Sequence, residues 1–204
     1  MKTTKFLIFL ILFSFSTNLF CLFLFNESHN AYNNNDNIEK LIIEGAGYFL
    51  KSHSEFLSFL QQIETGNGEY DYLLLNQILD SAADNLENAK AAYNKLYDRA
   101  KIKSYNPVVT GKLVNFDYAN YRETIKAVPS IYDRMKFYLG SGNVTGLYLE
   151  FYTGTSSILT SLKDIKKDIE QNAPPAAAPL RGISQEYARL LLLGQYTAEI
   201  FANL

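Results

Sequence analysis

Residues 72–100, YLLLNQILDSAADNLENAKAAYNKLYDRA, place Tyr72, Leu75, Leu79, Ala82, Leu86, Ala89, Tyr93, Leu96 and Ala100 at alternating intervals of three and four. All nine are apolar or aromatic, so they form a heptad stripe along one side of a long helix. Three more segments repeat the pattern. Ile42, Ala46, Phe49, His53, Phe56, Leu60 and Ile63 precede it. Tyr118, Tyr121, Ile125, Val128, Tyr132, Met135 and Leu139 follow it, and then Val144, Tyr148, Phe151, Thr155, Ile158, Leu162, Ile165 and Ile169. A fifth segment, opened by a capping Ser184, directs Tyr187, Leu190, Leu191, Gly194, Ala198 and Phe201 inward. Leu190 to Leu193 are apolar on all sides, which predicts burial on more than one face. The expected fold is all-α: an up-and-down bundle of four to five long antiparallel helices, two αα-hairpins plus a C-terminal helix, with left-handed crossings.

The joints between these segments carry turn chemistry. Gly66-Asn67-Gly68 closes the first hairpin, and Gly140-Ser141-Gly142-Asn143 repeats that chemistry before the fourth helix. Residues 104–111 read as the main internal linker, and Asp117 caps the helix after it. Pro129 lies within the third stripe, where a missing amide proton and a clash with the preceding turn predict a kink or break near residues 125–128. Ala173 to Pro179 reads as a stiff, extended connector. Gly45 and Gly47 weaken the first helix locally and leave room for close approach of a neighbour.

Residues 1–25 read as a targeting segment, a signal peptide or a retained membrane anchor. Lys2 and Lys5 form a basic start, Phe6 to Phe25 are almost wholly apolar, and no acidic residue occurs before Glu27. The Asn- and Ser-rich residues 26–37 read as a flexible tether, and residues 38–204 as a single helical-bundle domain. Cys21 is the only cysteine, so the folded part can form neither disulfides nor thiolate metal sites. Without Lys2 and Lys5 the chain has 17 basic against 21 acidic residues, a formal charge of −4. No basic stripe suited to nucleic acid is present. The densest basic group, Arg99, Lys101 and Lys103, suits the negative end of a helix dipole.

Candidate chemistry is sparse. His53 occupies an inward position of the first stripe, which makes it a candidate haem or metal ligand, with Met135 as a second axial ligand. The plainer expectation is a core-edge histidine, and the expected cofactor set is empty. No Glu-x-x-His pair, Gly-x-Ser-x-Gly elbow or strand-led phosphate loop occurs. Glu150 reads as isolated, and Asp164, Asp168 and Glu170, interleaved with Lys163, Lys166 and Lys167, read as a solvated face. Fifteen tyrosines without tryptophan suggest rings at the core edge with wet hydroxyls. A pocket is expected where a Pro129 kink faces the small residues 153–157, lined by Tyr132, Met135, Tyr152 and Thr155.

The functional expectation is an exported protein, periplasmic or extracellular, that is not an enzyme and binds a partner protein or small ligand. The membrane would be reached through residues 6–25. A haem- or metal-binding bundle using His53 and a membrane-active helical protein are the alternatives.

Overall fold

The structure, a computed structural model, describes residues 38–66, 68–102, 107–125 and 128–204. The segments 1–25 and 26–37, with Cys21, and Lys103 lie outside the described residues. Among the described residues there are seven helices and no strand, an all-α, bundle-like fold. They are α1 (Ile38–Thr65), α2 (Tyr72–Ile102), α3 (Pro107–Val114), α4 (Tyr118–Ile125), α5 (Pro129–Gly140), α6 (Val144–Glu170) and α7 (Ala177–Ala202). Four of these are long, and they carry the first, second, fourth and fifth stripes.

The helix ends follow local chemistry. Asp71 Oδ1 accepts the Leu74 amide at 3.0 Å and caps α2, and Asp117 Oδ1 accepts the Asn120 amide at 3.1 Å and caps α4. Gly68 and Gly142 close their turns at φ +93° and +70°, a region open to glycine without steric cost. Arg99 and Lys101 occupy the last turn of α2, where they offset the dipole.

The third expected helix is broken into shorter pieces. Val128 is extended, with φ −66° and ψ 115°, and Pro129 opens α5. A proline at the first helical position has no intrahelical amide bond to lose, so the chain restarts there instead of kinking. The expected linker also differs, because Pro107 uses the same device to open α3. Ser184 is not a cap. The last helix begins seven residues earlier at Ala177, and Ser184 Oγ donates back to the Leu180 carbonyl at 2.9 Å. Pro179 is tolerated there because first-turn amides have no intrahelical acceptor. Only residues 173–176 of the expected connector are non-helical.

By contact, the described residues divide into two compact units. The first comprises Leu41–Lys103 and Thr145–Leu190, so α1, α2, α6 and residues 177–190 of α7. Its core is the α2 stripe from Leu75 to Leu96, all buried, with Phe49, Phe56 and Phe59 of α1 and Ile158, Leu162, Ile165 and Ile169 of α6. A buried side chain of this size contributes ~1.5–3 kcal/mol. Gly45 admits the Tyr93 ring, since a Cβ there would lie 2.7 Å from it, whereas Gly47 has open space beside it. Tyr93 in turn stacks on Phe151 at 5.4 Å. Across the surface, Lys163 pairs with Glu87 at 2.6 Å and Lys166 pairs with Asp80, the solvated face expected for α6.

The second unit comprises the described parts of Ser104–Val144 and Leu191–Leu204. Helices α3 and α5 pack together there, and its core holds Leu113, Tyr118, Tyr121, Tyr132, Met135, Leu139, Leu193, Tyr196 and Ile200.

Candidate functional site

In the first unit, α1 buries Leu41, Gly45, Phe49, Ser52, Phe56 and Phe59. With Ala46 buried beside Gly45, that line passes one residue N-terminal to the expected stripe at Leu41, Ser52 and Phe59, and it puts Ser52, not His53, at the centre. A true helix turns 100° per residue, so a strict heptad reading drifts round the face over seven turns. Ser52 is 0 % exposed, and its Oγ donates to the Ala82 carbonyl at 2.7 Å. The Tyr187 hydroxyl lies 2.6 Å from the same Oγ. The serine proton is engaged with Ala82, so the phenol donates to the serine. One hydroxyl thus links α1, α2 and α7.

The Tyr187 ring packs against Phe49 at 5.2 Å, Phe56 at 5.5 Å and His53 at 5.0 Å. Burial pushes its phenol above the usual range. Burial also pushes the His53 imidazolium down to about 4, so the ring is neutral near pH 7. Neither hydrogen-bond partner of Ser52 Oγ, the Ala82 carbonyl and the protonated Tyr187 phenol, can take its proton at neutral pH. The cluster is a clasp between helices. Among the described residues, no three His, Cys, Asp or Glu side chains lie close enough to hold a metal ion.

A second polar cluster joins α6 to α7 in the same unit. Glu150 is not isolated. It is 5 % exposed and accepts from Arg189 Nη1 at 2.5 Å. The guanidinium also grips Glu186 in a two-point fork, Nε to Oε2 at 2.8 Å and Nη2 to Oε1 at 2.6 Å. The Glu186 hydrogen bond, followed by the charges of both carboxylates, holds the Arg189 pKa above its usual value. Gly154 makes the space. A Cβ there would come within 2.8 Å of Glu186 Oε1 and Leu190 Cδ1 and 3.0 Å of Arg189 Nη2. The small-residue stretch of α6 therefore admits this fork. The usable sequence signals were the i, i+3 pair Glu186–Arg189 and a glycine inside a long stripe.

The second unit places tyrosines at its helix breaks. Tyr118 Oη donates to the Leu113 carbonyl at 2.8 Å, in the last turn of α3, where carbonyls lack intrahelical partners. Tyr196 Oη accepts the Val128 amide at 3.0 Å, just before α5. Tyr121 Oη donates to Glu199 Oε2 at 2.7 Å, and Tyr132 Oη donates to the Tyr118 carbonyl. Burial pushes Tyr118 up to about 12, and burial plus the Glu199 carboxylate raises Tyr121 further. These four tyrosines are buried and hydrogen-bonded, and two of them, Tyr118 and Tyr196, close backbone groups that a chain broken into short helices leaves open.

The four residues of the expected pocket fall in different units. Tyr132 and Met135 are buried in the second, on α5. Tyr152 and Thr155 lie on α6 in the first, Tyr152 half-buried and Thr155 fully buried. Thr155 Oγ1 has no hydrogen-bond partner. His53 belongs to the first unit and Met135 to the second.

No protein-family model, curated protein or solved structure matches this chain.

Proposed function

We propose that this chain is an exported, non-catalytic binding module, periplasmic or extracellular, that recognises a partner protein through its surface. The targeting-type segment Lys2 to Phe25 supports export. One contrast carries the binding reading. The stripe leucines are buried to within a few per cent, yet Leu73 and Phe137 remain 70 % and 67 % exposed. Burying such a side chain is worth ~1.5–3 kcal/mol, which a covering partner recovers. The buried Ser52 and Glu150 are tied to neighbouring helices, and Thr197 donates to the Leu193 carbonyl of its own helix, so these three groups are engaged within the fold.

The test is fractionation of the source cells, with N-terminal sequencing of the mature chain and cross-linking in the compartment where it resides. Recovery outside the cytoplasm, in a cross-linked complex with a defined protein, is the expected result. An intact chain confined to the cytosol refutes export, and a chain that cross-links to no protein refutes binding.

A further inference from the structure

The α1–α2 turn joins exposed apolar side chains to a one-sided charge. Leu73 and Leu74, in the first turn of α2, are 70 % and 37 % exposed because the α2 stripe turns Leu75 and Leu79 inward instead. Beside them the Tyr70 and Tyr72 rings meet edge to face at 6.0 Å, both partly exposed. Residues 52–89 hold seven carboxylates and no lysine or arginine, while the rest of the chain holds 19 basic against 14 acidic residues. Farther along α2, Lys166 and Lys163 of α6 neutralise Asp80 and Glu87. Nearer the turn, Glu64, Glu69 and Asp71 are all exposed.

The charge at this turn is not there for the stability of α1. Its last turn has no basic residue, so Glu64 sits at the negative end of the dipole, an arrangement that costs some tenths of a kcal/mol up to about 1. Asp71 has a structural task as the α2 cap, but Glu64 and Glu69 belong neither to a helix cap nor to an inward stripe. Exposed apolar side chains in a stretch of carboxylates without a basic residue attract lysine and arginine around an apolar face. They repel anionic lipid and the same turn of a second copy.

We infer that the α1–α2 turn, with exposed Leu73 and Leu74 preceded along the chain by exposed Glu64, Glu69 and Asp71, docks a cationic amphipathic helix of another protein. This rests on the binding-module reading and names its surface and the chemistry of its partner.

The test titrates the full chain with a labelled Leu/Lys amphipathic helical peptide, with a Leu/Glu peptide of the same pattern as control. The Leu/Lys peptide binds, more weakly as salt rises, and the Leu/Glu peptide does not. Leu73→Ser weakens binding about tenfold, the equivalent of one lost leucine contact of ~1.4 kcal/mol. Glu64→Lys with Glu69→Lys weakens it at least tenfold and flattens the salt dependence. Leu73→Ser keeps the wild-type unfolding midpoint and the lysine double variant does not fall below it, since all three positions are exposed and a lysine at position 64 suits the end of α1. Val114→Ser, at another exposed apolar position, binds as the wild type does. Binding unchanged by Leu73→Ser, or equal for both peptides, overturns the inference. So does Leu73-dependent partitioning onto zwitterionic vesicles in place of peptide binding, which would make the turn a membrane contact. A partner cross-linked in the source compartment away from residues 63–77 would overturn this surface while leaving the binding-module reading intact.

Discussion

The Ser52 clasp makes a quantitative prediction about removing its two hydroxyls singly and together. Tyr187→Phe deletes a donor but leaves Ser52 bonded to the Ala82 carbonyl, so the loss is one ordinary hydrogen bond, about 1 kcal/mol. Ser52→Ala is worse. It strands the Tyr187 hydroxyl in a position with 0 % exposure, where water cannot replace the acceptor, and an orphaned buried donor costs ~1–3 kcal/mol. Adding Tyr187→Phe to Ser52→Ala removes the orphan. The double variant should therefore be close to Tyr187→Phe alone and more stable than Ser52→Ala, a rescue by a second deletion. At roughly 2–4 °C per kcal/mol for a chain of this length, a mid-range cost of about 2 kcal/mol for Ser52→Ala lowers the midpoint by about 4–8 °C, and the second substitution recovers about half. Urea and thermal unfolding of the full chain, followed by helical circular dichroism, measure all four corners of the cycle. If the double variant loses the sum of the singles to within about 0.5 kcal/mol, the two hydroxyls are independent and the clasp is refuted.

Three further predictions use the same assay. Gly47→Ala, facing open space, stabilises by up to ~1 kcal/mol through helix propensity, whereas Gly154→Ala destabilises by about 1 kcal/mol net because its methyl displaces the Arg189–Glu186 fork. Equal effects at the two glycines would refute the close approach at Gly154. Leu86→Ala, fully buried, costs ~3–5 kcal/mol, while Leu73→Ala stays within about 0.5 kcal/mol, and a reversal would place the heptad stripe on the wrong side of α2. His53 makes stability depend on pH. Its folded pKa of about 4 lies below the unfolded value of 6.5, so the unfolded chain binds more protons between them. Stability is then complete above pH 6.5 and falls as pH drops toward 4. The fall is on the order of 2 kcal/mol after allowance for partial exposure. His53→Phe removes that component of the slope, and an unchanged slope would show that His53 is not desolvated.

The helices were legible because their signals are local. Leu75, Leu79, Leu86 and Leu96 recur at the spacing one helix face requires, and each is buried as that spacing demands. Asp71, Asp117, Gly68, Gly142 and Pro129 mark the ends through contacts or torsions spanning a few residues, which a linear reading can register. Where two local signals competed, the reading failed. Ser184 offers a cap, yet the helix begins at Ala177, because a proline in the first turn costs little and extending the helix adds backbone bonds.

The polar interior was not legible, and the reason is distance along the chain. Ser52 meets Tyr187 across 135 residues, and Glu150 meets Arg189 across 39. Periodicity says which face turns inward, but not which inward groups confront one another. A stripe register slipping by one residue was enough to exchange His53 for Ser52 at the centre. The amino-acid pattern alone determined that long helices form and where a single unopposed signal ends them, as at Gly68, Gly142 and Pro129, since each of those choices is settled within a turn or two. Tertiary packing alone decided how the Ser52 and Tyr187 hydroxyls, the Glu150 carboxylate and the Arg189 guanidinium are satisfied, because a buried polar group is stabilised by a partner that the fold must bring to it.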